Sequence, residues 1–173
     1  MAERKVLFLD RDGVINRKMP EHQYVLRREQ FEFLPGVFDA LSLLEREGYE
    51  MYVVSNQAGV GKGSMTVEDL EGINAWMSEQ LAAKGIHLRG IYYCPHRAEE
   101  HCSCRKPEPG MLLQAAKEHG IDLKDAIFVG DSPTDEEAGK RAGCRTILME
   151  SDGRLMDAVR ILIRDKKPVF KKQ

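Results

Sequence analysis

Short apolar segments alternate along the chain with longer segments whose apolar residues recur at helical spacing. Five segments have the length and composition of buried strands, at residues 5–9, 51–55, 89–93, 126–130 and 145–149. The segments between them have the apolar stripes of amphipathic helices, such as Leu70, Ile73, Met77 and Leu81. This alternation predicts a Rossmann-like α/β fold, with an open parallel sheet, right-handed crossovers and helices on both faces.

The length and composition of the chain indicate how many domains it forms and which partners it can have. A chain of 173 residues with 42% hydrophobic and 31% charged residues suits one globular domain over residues 1–173, with no room for a large cap domain. A net charge of −2 gives no reason to expect nucleic-acid or membrane partners. We see no stretch typical of a membrane span or signal peptide and therefore expect a cytoplasmic protein, and a monomer. The basic tail at 166–173 is expected to be a solvated end.

Polar side chains follow several of the predicted strands. Asp10 and Asp12 follow the first strand, Ser55 and Asn56 end the second, and Asp131 follows the fourth. Since parallel strands end at the same edge of a sheet, these residues should meet there, near Arg105 and Lys106, which precede a predicted helix. The carboxylates suit Mg²⁺, and the lysine, the hydroxyl and nearby backbone N–H groups suit phosphoryl oxygens.

A cluster of soft ligands lies between residues 94 and 104. Cys94, His96, Cys102 and Cys104 supply three thiolates and one imidazole, which is a closed tetrahedral set for structural Zn²⁺. His101 is an alternative ligand, and a loop of free cysteines is the competing interpretation. Cys144, near the last strand, is expected to be a small core residue.

The motifs at these strand ends resemble those of the haloacid dehalogenase (HAD) superfamily of phosphatases. They are Asp10-Arg11-Asp12-Gly13 with Val14-Ile15-Asn16, Ser55-Asn56-Gln57, Lys106 and Gly130-Asp131 with Asp135 nearby. The resemblance implies that Asp10 forms an aspartyl-phosphate and that Asp12 is the general acid and base. It also implies that Asp10, the backbone carbonyl of Asp12 and Asp131 hold Mg²⁺.

The remaining motif residues have supporting roles in that family. The resemblance implies that Ser55 and Lys106 hold the phosphoryl oxygens and that Asn56 orients the nucleophile loop. Asp135 is either a support for the metal site or an acid that stabilises a helix start. We also expect Thr134 and Glu137 to form the capping box of the helix that follows the fourth strand.

The cysteine run, Cys-x-His with Cys-x-Cys-Arg-Lys-Pro, resembles two families within the superfamily. These are the D-glycero-D-manno-heptose 1,7-bisphosphate phosphatases and the histidinol-phosphate phosphatases. The segments at 31–37, 55–59 and 106–111 look more like the heptose enzymes, whereas the short loop between the ligand pairs is closer to the histidinol type. The expected partner is therefore a small phosphorylated metabolite, most simply a sugar bisphosphate. Substrate contacts are expected from Arg105, Gln57 and Lys62, and less strongly from Arg17 and Arg28.

Two other possibilities remain open from the sequence. The chain could be a zinc-stabilised, phosphate-binding module without turnover, or it could act on a phosphate at a nucleic-acid end. The complete set of acids and bases opposes the first, and the acidic net charge opposes the second. Without a cap domain, the site should be shallow, with walls formed by the cysteine loop and by residues 17–34, called here the flap, which could form a small hairpin.

Overall fold

The computed structural model describes residues 3–166, and the basic tail from residue 167 onwards lies outside them. A five-stranded parallel sheet with the order β3-β2-β1-β4-β5 forms its centre. The strands are β1 (Lys5–Leu9), β2 (Tyr49–Asn56), β3 (Leu88–Cys94), β4 (Ala126–Gly130) and β5 (Arg145–Leu148). The predicted α/β class is confirmed, and β2 and β3 are longer than the apolar runs that predicted them.

Helices cover both faces of the sheet. They are α1 (Val37–Arg46), α2 (Val67–Ala82), α3 (Gly110–His119), α4 (Pro133–Ala142) and α5 (Leu155–Lys166). The apolar stripes of α1, α2 and α5 pack together on one face, and α3 and α4 pack on the other. None of the helices within residues 3–166 is both long enough and apolar enough to cross a membrane.

Strand β1 lies at the middle of the sheet and is buried on both sides. Leu7 and Leu9 belong to the core on the α1–α2–α5 face, whereas Val6 and Phe8 belong to the core on the α3–α4 face. A strand between two helical layers has no solvent-facing side, which explains why its sequence is apolar throughout rather than alternating. The residues that follow β1 are therefore held by a strand that is packed against the core on both faces.

Helix starts show where local sequence signals succeed and where they fail. Thr66 caps α2 in a capping box with Asp69, which the Thr-x-x-Asp spacing of the sequence suits. The predicted Thr134–Glu137 box is wrong, because α4 begins two residues earlier. Ser132 is its N-cap and accepts from the N–H of Asp135, with Pro133 in the first turn, where its missing N–H costs no hydrogen bond.

The flap is anchored without forming a regular hairpin. Its described secondary structure is one turn of 3-10 helix at Arg28–Gln30 and a single antiparallel bridge between Asn16 and Phe33. Val25 and Phe31 are buried in the core, which attaches the flap to the body of the protein. The hairpin prediction is therefore wrong, because burial of separate side chains, rather than strand pairing, fixes this segment.

Candidate active site and cysteine cluster

The predicted site residues meet at the carboxyl edge of the sheet. Asp10 directly follows β1, Asn56 is the last residue of β2, and Asp131 directly follows β4, next to β1. Lys106 reaches the same edge from the loop before α3 and is buried there. The fold thus brings four distant segments of the chain to one point, as the sequence pattern predicts.

Lys106 is the centre of the polar contacts at this edge. Its Nζ lies 2.6 Å from Asp135 Oδ1 and 3.1 Å from Asp10 Oδ1, and it donates to the carbonyl of Val54 at 3.1 Å. Burial opposes the charged ammonium, but the carboxylates of Asp10 and Asp135 outweigh that effect and raise the pKa of Lys106. The lysine is thus a fixed positive charge beside the predicted nucleophile.

Three carboxylates, called here the acid cluster, have oxygens within 4.8 Å of one another: Asp10, Asp131 and Asp135. Burial raises the pKa of Asp10 well above its usual range, and the other acids raise it further, against the effect of Lys106. Asp131 Oδ1 is buried without a hydrogen-bond partner among residues 3–166. A buried, unpaired carboxylate oxygen among repelling acids fits a hard divalent cation such as Mg²⁺.

Asp12 has a different environment from the acid cluster. Its carboxylate accepts from Asn16 Nδ2 at 2.8 Å, from Gln57 Nε2 at 2.6 Å and from Arg11 Nη2 at 3.2 Å. Burial alone would raise the pKa of Asp12, but these three donors, Arg11 foremost, lower it. Its three donors therefore fix the orientation of the Asp12 carboxylate. This agrees with the prediction that Asp12 contributes its backbone carbonyl, and not its side chain, to the metal site.

Arg11 and Gln57 have positioning contacts that the sequence did not reveal. The guanidinium of Arg11 is fully buried and also donates to Asn74 on α2 at 2.9 Å. The amide of Gln57 donates to the Ser55 hydroxyl at 2.6 Å as well as to Asp12. Gln57, expected to contact substrate, is buried and turned towards Asp12, whereas Ser55 is buried beside it.

Asn56, which is predicted to orient the nucleophile loop, makes its side-chain hydrogen bonds within residues 3–166 to the segment of Lys106. Its side-chain amide donates to the carbonyl of Lys106 at 3.1 Å, and its oxygen accepts from the N–H of Lys106 at 3.0 Å. Asn56 therefore orients the lysine segment. For Asp135, the sequence left open whether it supports the metal site or stabilises a helix start. Its carboxylate accepts from the N–H of Asp131 at 2.9 Å and pairs with Lys106, so it contacts the site directly.

The four predicted zinc ligands come together in space, with the ligand atoms within 4.8 Å of one another. The sulfurs of Cys94 and Cys104 lie 3.0 Å apart, those of Cys94 and Cys102 lie 3.5 Å apart, and His96 Nδ1 lies 3.2 Å from the Cys104 sulfur. Tetrahedral zinc with Zn–S bonds of about 2.3 Å places its ligands roughly this far apart. His101 lies outside the group, and Cys144 is a buried core residue, as predicted.

The chemistry of Cys102 also fits a metal thiolate. Burial raises the pKa of its thiol, but hydrogen bonds from backbone N–H groups, that of Arg105 foremost, lower it to about 7. The Arg105 N–H lies 3.4 Å from the sulfur, so the segment that carries Arg105 and Lys106 is tied directly to the cluster. The residues present thus suit Zn²⁺.

A cleft of about 290 Å³ opens at this edge of the sheet. Residues 18–25 of the flap form one wall, and Arg105, Lys106, Ser132 and Thr134 contribute to the rest. Of the other predicted substrate contacts, Lys62 donates to the Tyr24 hydroxyl at 2.7 Å and Arg17 pairs with Glu32 at 3.0 Å. The guanidinium of Arg28 lies over the Trp76 ring, so Arg17 and Arg28 are engaged outside the cleft, whereas Lys62 contacts Tyr24, a residue of the cleft wall.

Comparisons with known proteins agree with this geometry. A family model described as HAD-hydrolase-like matches residues 103–164. D-glycero-beta-D-manno-heptose-1,7-bisphosphate 7-phosphatase of Helicobacter pylori is 41% identical over 150 residues, covering 86% of this chain and 85% of that protein. The enzyme of the same name from Vibrio cholerae is 39% identical over 173 residues, covering 96% and 84%.

A solved structure shares the whole fold. The crystal structure of D,D-heptose 1,7-bisphosphate phosphatase from B. bronchiseptica, complexed with magnesium and phosphate, has a TM-score of 0.84 and 29% identity, and covers 93% of this chain and 99% of that one. Together with the two relatives, it shows that the chain belongs to the heptose bisphosphate phosphatase family of the HAD superfamily.

Proposed function

We propose that this chain removes the 7-phosphate of D-glycero-β-D-manno-heptose 1,7-bisphosphate. The observation that carries the proposal is the arrangement of Asp10, Asp12 and Lys106 at the end of β1, in a chain whose relatives of about 40% identity share that named activity. Most of the residues that line the cleft beside them are charged or polar, which suits a hydrophilic substrate with an exposed phosphate.

Asp10 is the nucleophile in this proposal. One of its carboxylate oxygens forms a bond to phosphorus while the bond from phosphorus to the sugar oxygen breaks, and Asp12 supplies the proton that the leaving oxygen needs. Water then loses a proton to Asp12 and attacks phosphorus, while the bond from phosphorus to the Asp10 oxygen breaks, so phosphate leaves and the Asp10 carboxylate is regenerated. The donors around Asp12 favour its carboxylate form, which is the form required for this second step.

Lys106 and Ser55 bind the phosphoryl oxygens, and Arg105 contacts the substrate body from the cleft wall. Asp10, Asp131 and the backbone carbonyl of Asp12 would hold Mg²⁺, with Asp135 bridging to Lys106. When bound, Mg²⁺ offsets the repulsion between an anionic nucleophile and an anionic phosphoryl group. Gln57 fixes the Asp12 carboxylate through its 2.6 Å hydrogen bond.

The cysteine cluster is proposed to hold one structural zinc ion. Four protein ligands complete a tetrahedral shell, which leaves no open position for catalysis. Its role is to fix the loop that ends at Arg105 and Lys106. Four free cysteines, three of them in this cluster, also suit the reducing conditions of the cytoplasm, where we place the enzyme as a monomer.

Steady-state kcat/KM with Mg²⁺ tests the proposal, using both anomers of heptose 1,7-bisphosphate and histidinol phosphate in parallel. We expect a strong preference for the β anomer and release of one phosphate per substrate, with the product identified as the 1-phosphate. Preference for histidinol phosphate would contradict the substrate assignment and keep the chemistry. Asp10→Asn is the matched control, and its turnover should fall by on the order of 10⁴-fold or more.

A further inference from the structure

Lys18 is a cation of the cleft that the mechanism above does not use. Its Nζ lies 3.7 Å from Asp131 Oδ2, and this is its only charged partner within residues 3–166. The Lys18 side chain is 49% exposed, whereas that of Asp131 is 1% exposed. The ammonium therefore sits at the boundary between the buried acid cluster and the open cleft.

The backbone of Lys18 is fixed, although its ammonium is held loosely. The N–H of Lys18 donates to Asp152 Oδ1 at 2.8 Å, and the N–H of Asp152 donates to the carbonyl of Gly13 at 2.9 Å. The neighbouring Ser151 hydroxyl donates to Asp131 Oδ2. The loop after β5 thus positions both Lys18 and Asp131, while their own ion pair is longer than a hydrogen bond.

The other two strong cations of the cleft differ from Lys18. Lys106 has three acceptors for its three protons and is buried. The guanidinium of Arg105 contacts the carbonyl of His96 at 3.4 Å, on the cysteine loop. Lys106 also contacts a carboxylate of the acid cluster that a divalent cation would use, that of Asp10, but it does so from a buried position, whereas Lys18 is half-exposed and its contact with Asp131 is longer than a hydrogen bond.

The charges of the site make Lys18 and a divalent cation compete for the carboxylate of Asp131. Apart from Lys18, the ammonium that contacts the acid cluster is that of Lys106, so the three carboxylates, when all are ionised, exceed its charge by two. A divalent cation at Asp131 neutralises this excess and repels the ammonium of Lys18. The half-exposed lysine can then turn into the cleft that it already lines.

We propose that Lys18 pairs with Asp131 until Mg²⁺ displaces it, and that the released ammonium then binds the second phosphate of the substrate, the one that is not hydrolysed. Lys18 is in this view a specificity residue whose availability depends on metal binding. The identity of its anion rests on the proposed function, whereas the competition with Mg²⁺ does not.

The first test measures Mg²⁺ binding by calorimetry to zinc-loaded, magnesium-free protein without substrate. Lys18→Gln removes the competing charge and should bind Mg²⁺ on the order of threefold to tenfold more tightly than the wild type. Lys18→Arg should stay close to the wild type. Lys124→Gln breaks a lysine–aspartate pair of 3.2 Å outside the cleft and should leave the affinity unchanged. Unchanged affinity in Lys18→Gln would overturn the proposal.

The second test compares KM for heptose 1,7-bisphosphate with KM for para-nitrophenyl phosphate, which has no second phosphate. Lys18→Gln should raise the KM for heptose 1,7-bisphosphate about tenfold more than the KM for para-nitrophenyl phosphate. Lys18→Arg should restore most of the lost preference for the bisphosphate. Equal changes in both would show that Lys18 does not read the second phosphate. If the wild type does not hydrolyse heptose bisphosphate at all, the proposed function fails, and the Mg²⁺ titration still decides whether Lys18 competes for Asp131.

Discussion

The side chain of Asn56 and the backbone of Lys106 form a ring of two hydrogen bonds, one accepted from the Lys106 N–H at 3.0 Å and one donated to its carbonyl at 3.1 Å. The two residues are fifty positions apart, and the ring joins the end of β2 to the loop before α3. Lys106 is thereby aimed at Asp10 from outside any helix or strand.

Asn56→Ala should therefore misplace Lys106 rather than unfold the protein. Losing two hydrogen bonds costs about 1–3 kcal/mol in the free energy of unfolding, and a small displacement of the lysine lowers kcat/KM by about 100-fold. Denaturant unfolding and steady-state kinetics measure the two effects. Thr134→Ala, which alters another cleft residue, is the control, and equal losses in both variants would refute this role of Asn56.

The raised pKa of Asp10 predicts how stability depends on pH in the metal-free protein. Burial, and then repulsion from Asp135 and Asp131, make the folded state hold the Asp10 proton more tightly than the unfolded state. This contribution to stability is present below the unfolded pKa of about 3.8 and is lost as pH rises through the higher folded value. Asp10→Asn lacks the titrating group, so its Tm should increasingly exceed that of the wild type as pH rises.

Thermal unfolding of both proteins between about pH 4 and pH 8, without and with Mg²⁺, measures this difference. Mg²⁺ should raise the Tm of the wild type more than that of Asp10→Asn, because it neutralises a carboxylate that the variant lacks. A Tm difference that does not change with pH would contradict the assigned direction of the Asp10 pKa shift.

Removal of a cluster cysteine should release zinc and weaken catalysis together. Cys102→Ser removes the thiolate that accepts the N–H of Arg105, so the loop that carries Lys106 loses its anchor. We expect one zinc per chain in the wild type, and much less in the variant, by elemental analysis, with kcat/KM about 10- to 100-fold lower. Cys144→Ala changes a buried cysteine outside the cluster and should keep its zinc. Wild-type protein with intact thiols and no zinc would contradict the assignment.

Gly13 is required by the acid cluster more than by the backbone turn. Its φ is +88°, and a Cβ there would lie 2.1 Å from Asp131 Oδ2. Gly13→Ala should therefore displace Asp131 and weaken Mg²⁺ binding at least tenfold, as measured by calorimetry, an effect of about 1.4 kcal/mol or more. Gly48→Ala has a similar φ of +82° with open space around its Cβ, so it should show backbone strain alone. Equal Mg²⁺ affinity in the two variants would exclude the clash.

The sheet and the meeting of Asp10, Asp131 and Lys106 were predictable, because an apolar strand that ends in a carboxylate follows a rule of parallel sheets. The cysteine cluster was predictable because its four ligands lie within eleven positions of sequence. Both inferences depend on residue type and order, which the sequence contains in full.

The contacts of Arg11, Gln57 and Lys18 could not be predicted, because each depends on where a side chain points after the backbone has turned. A buried arginine beside Asn74 has no sequence signature distinct from an exposed one. The start of α4 was mispredicted because Ser132 and Thr134 are both good caps, and only the direction of the chain after β4 selects between them. The flap was mispredicted because its shape depends on separate buried anchors.

The placement of Asp10 directly after the central strand separates the phosphate chemistry from the choice of substrate, and evolution can change the two independently. The reacting groups are held by a strand buried on both faces, where almost any substitution disturbs the core. One cleft wall, in contrast, comes from residues 18–25 of the flap, which lie outside the sheet. New substrates can therefore be acquired by replacing loops, while the phosphate chemistry is inherited intact.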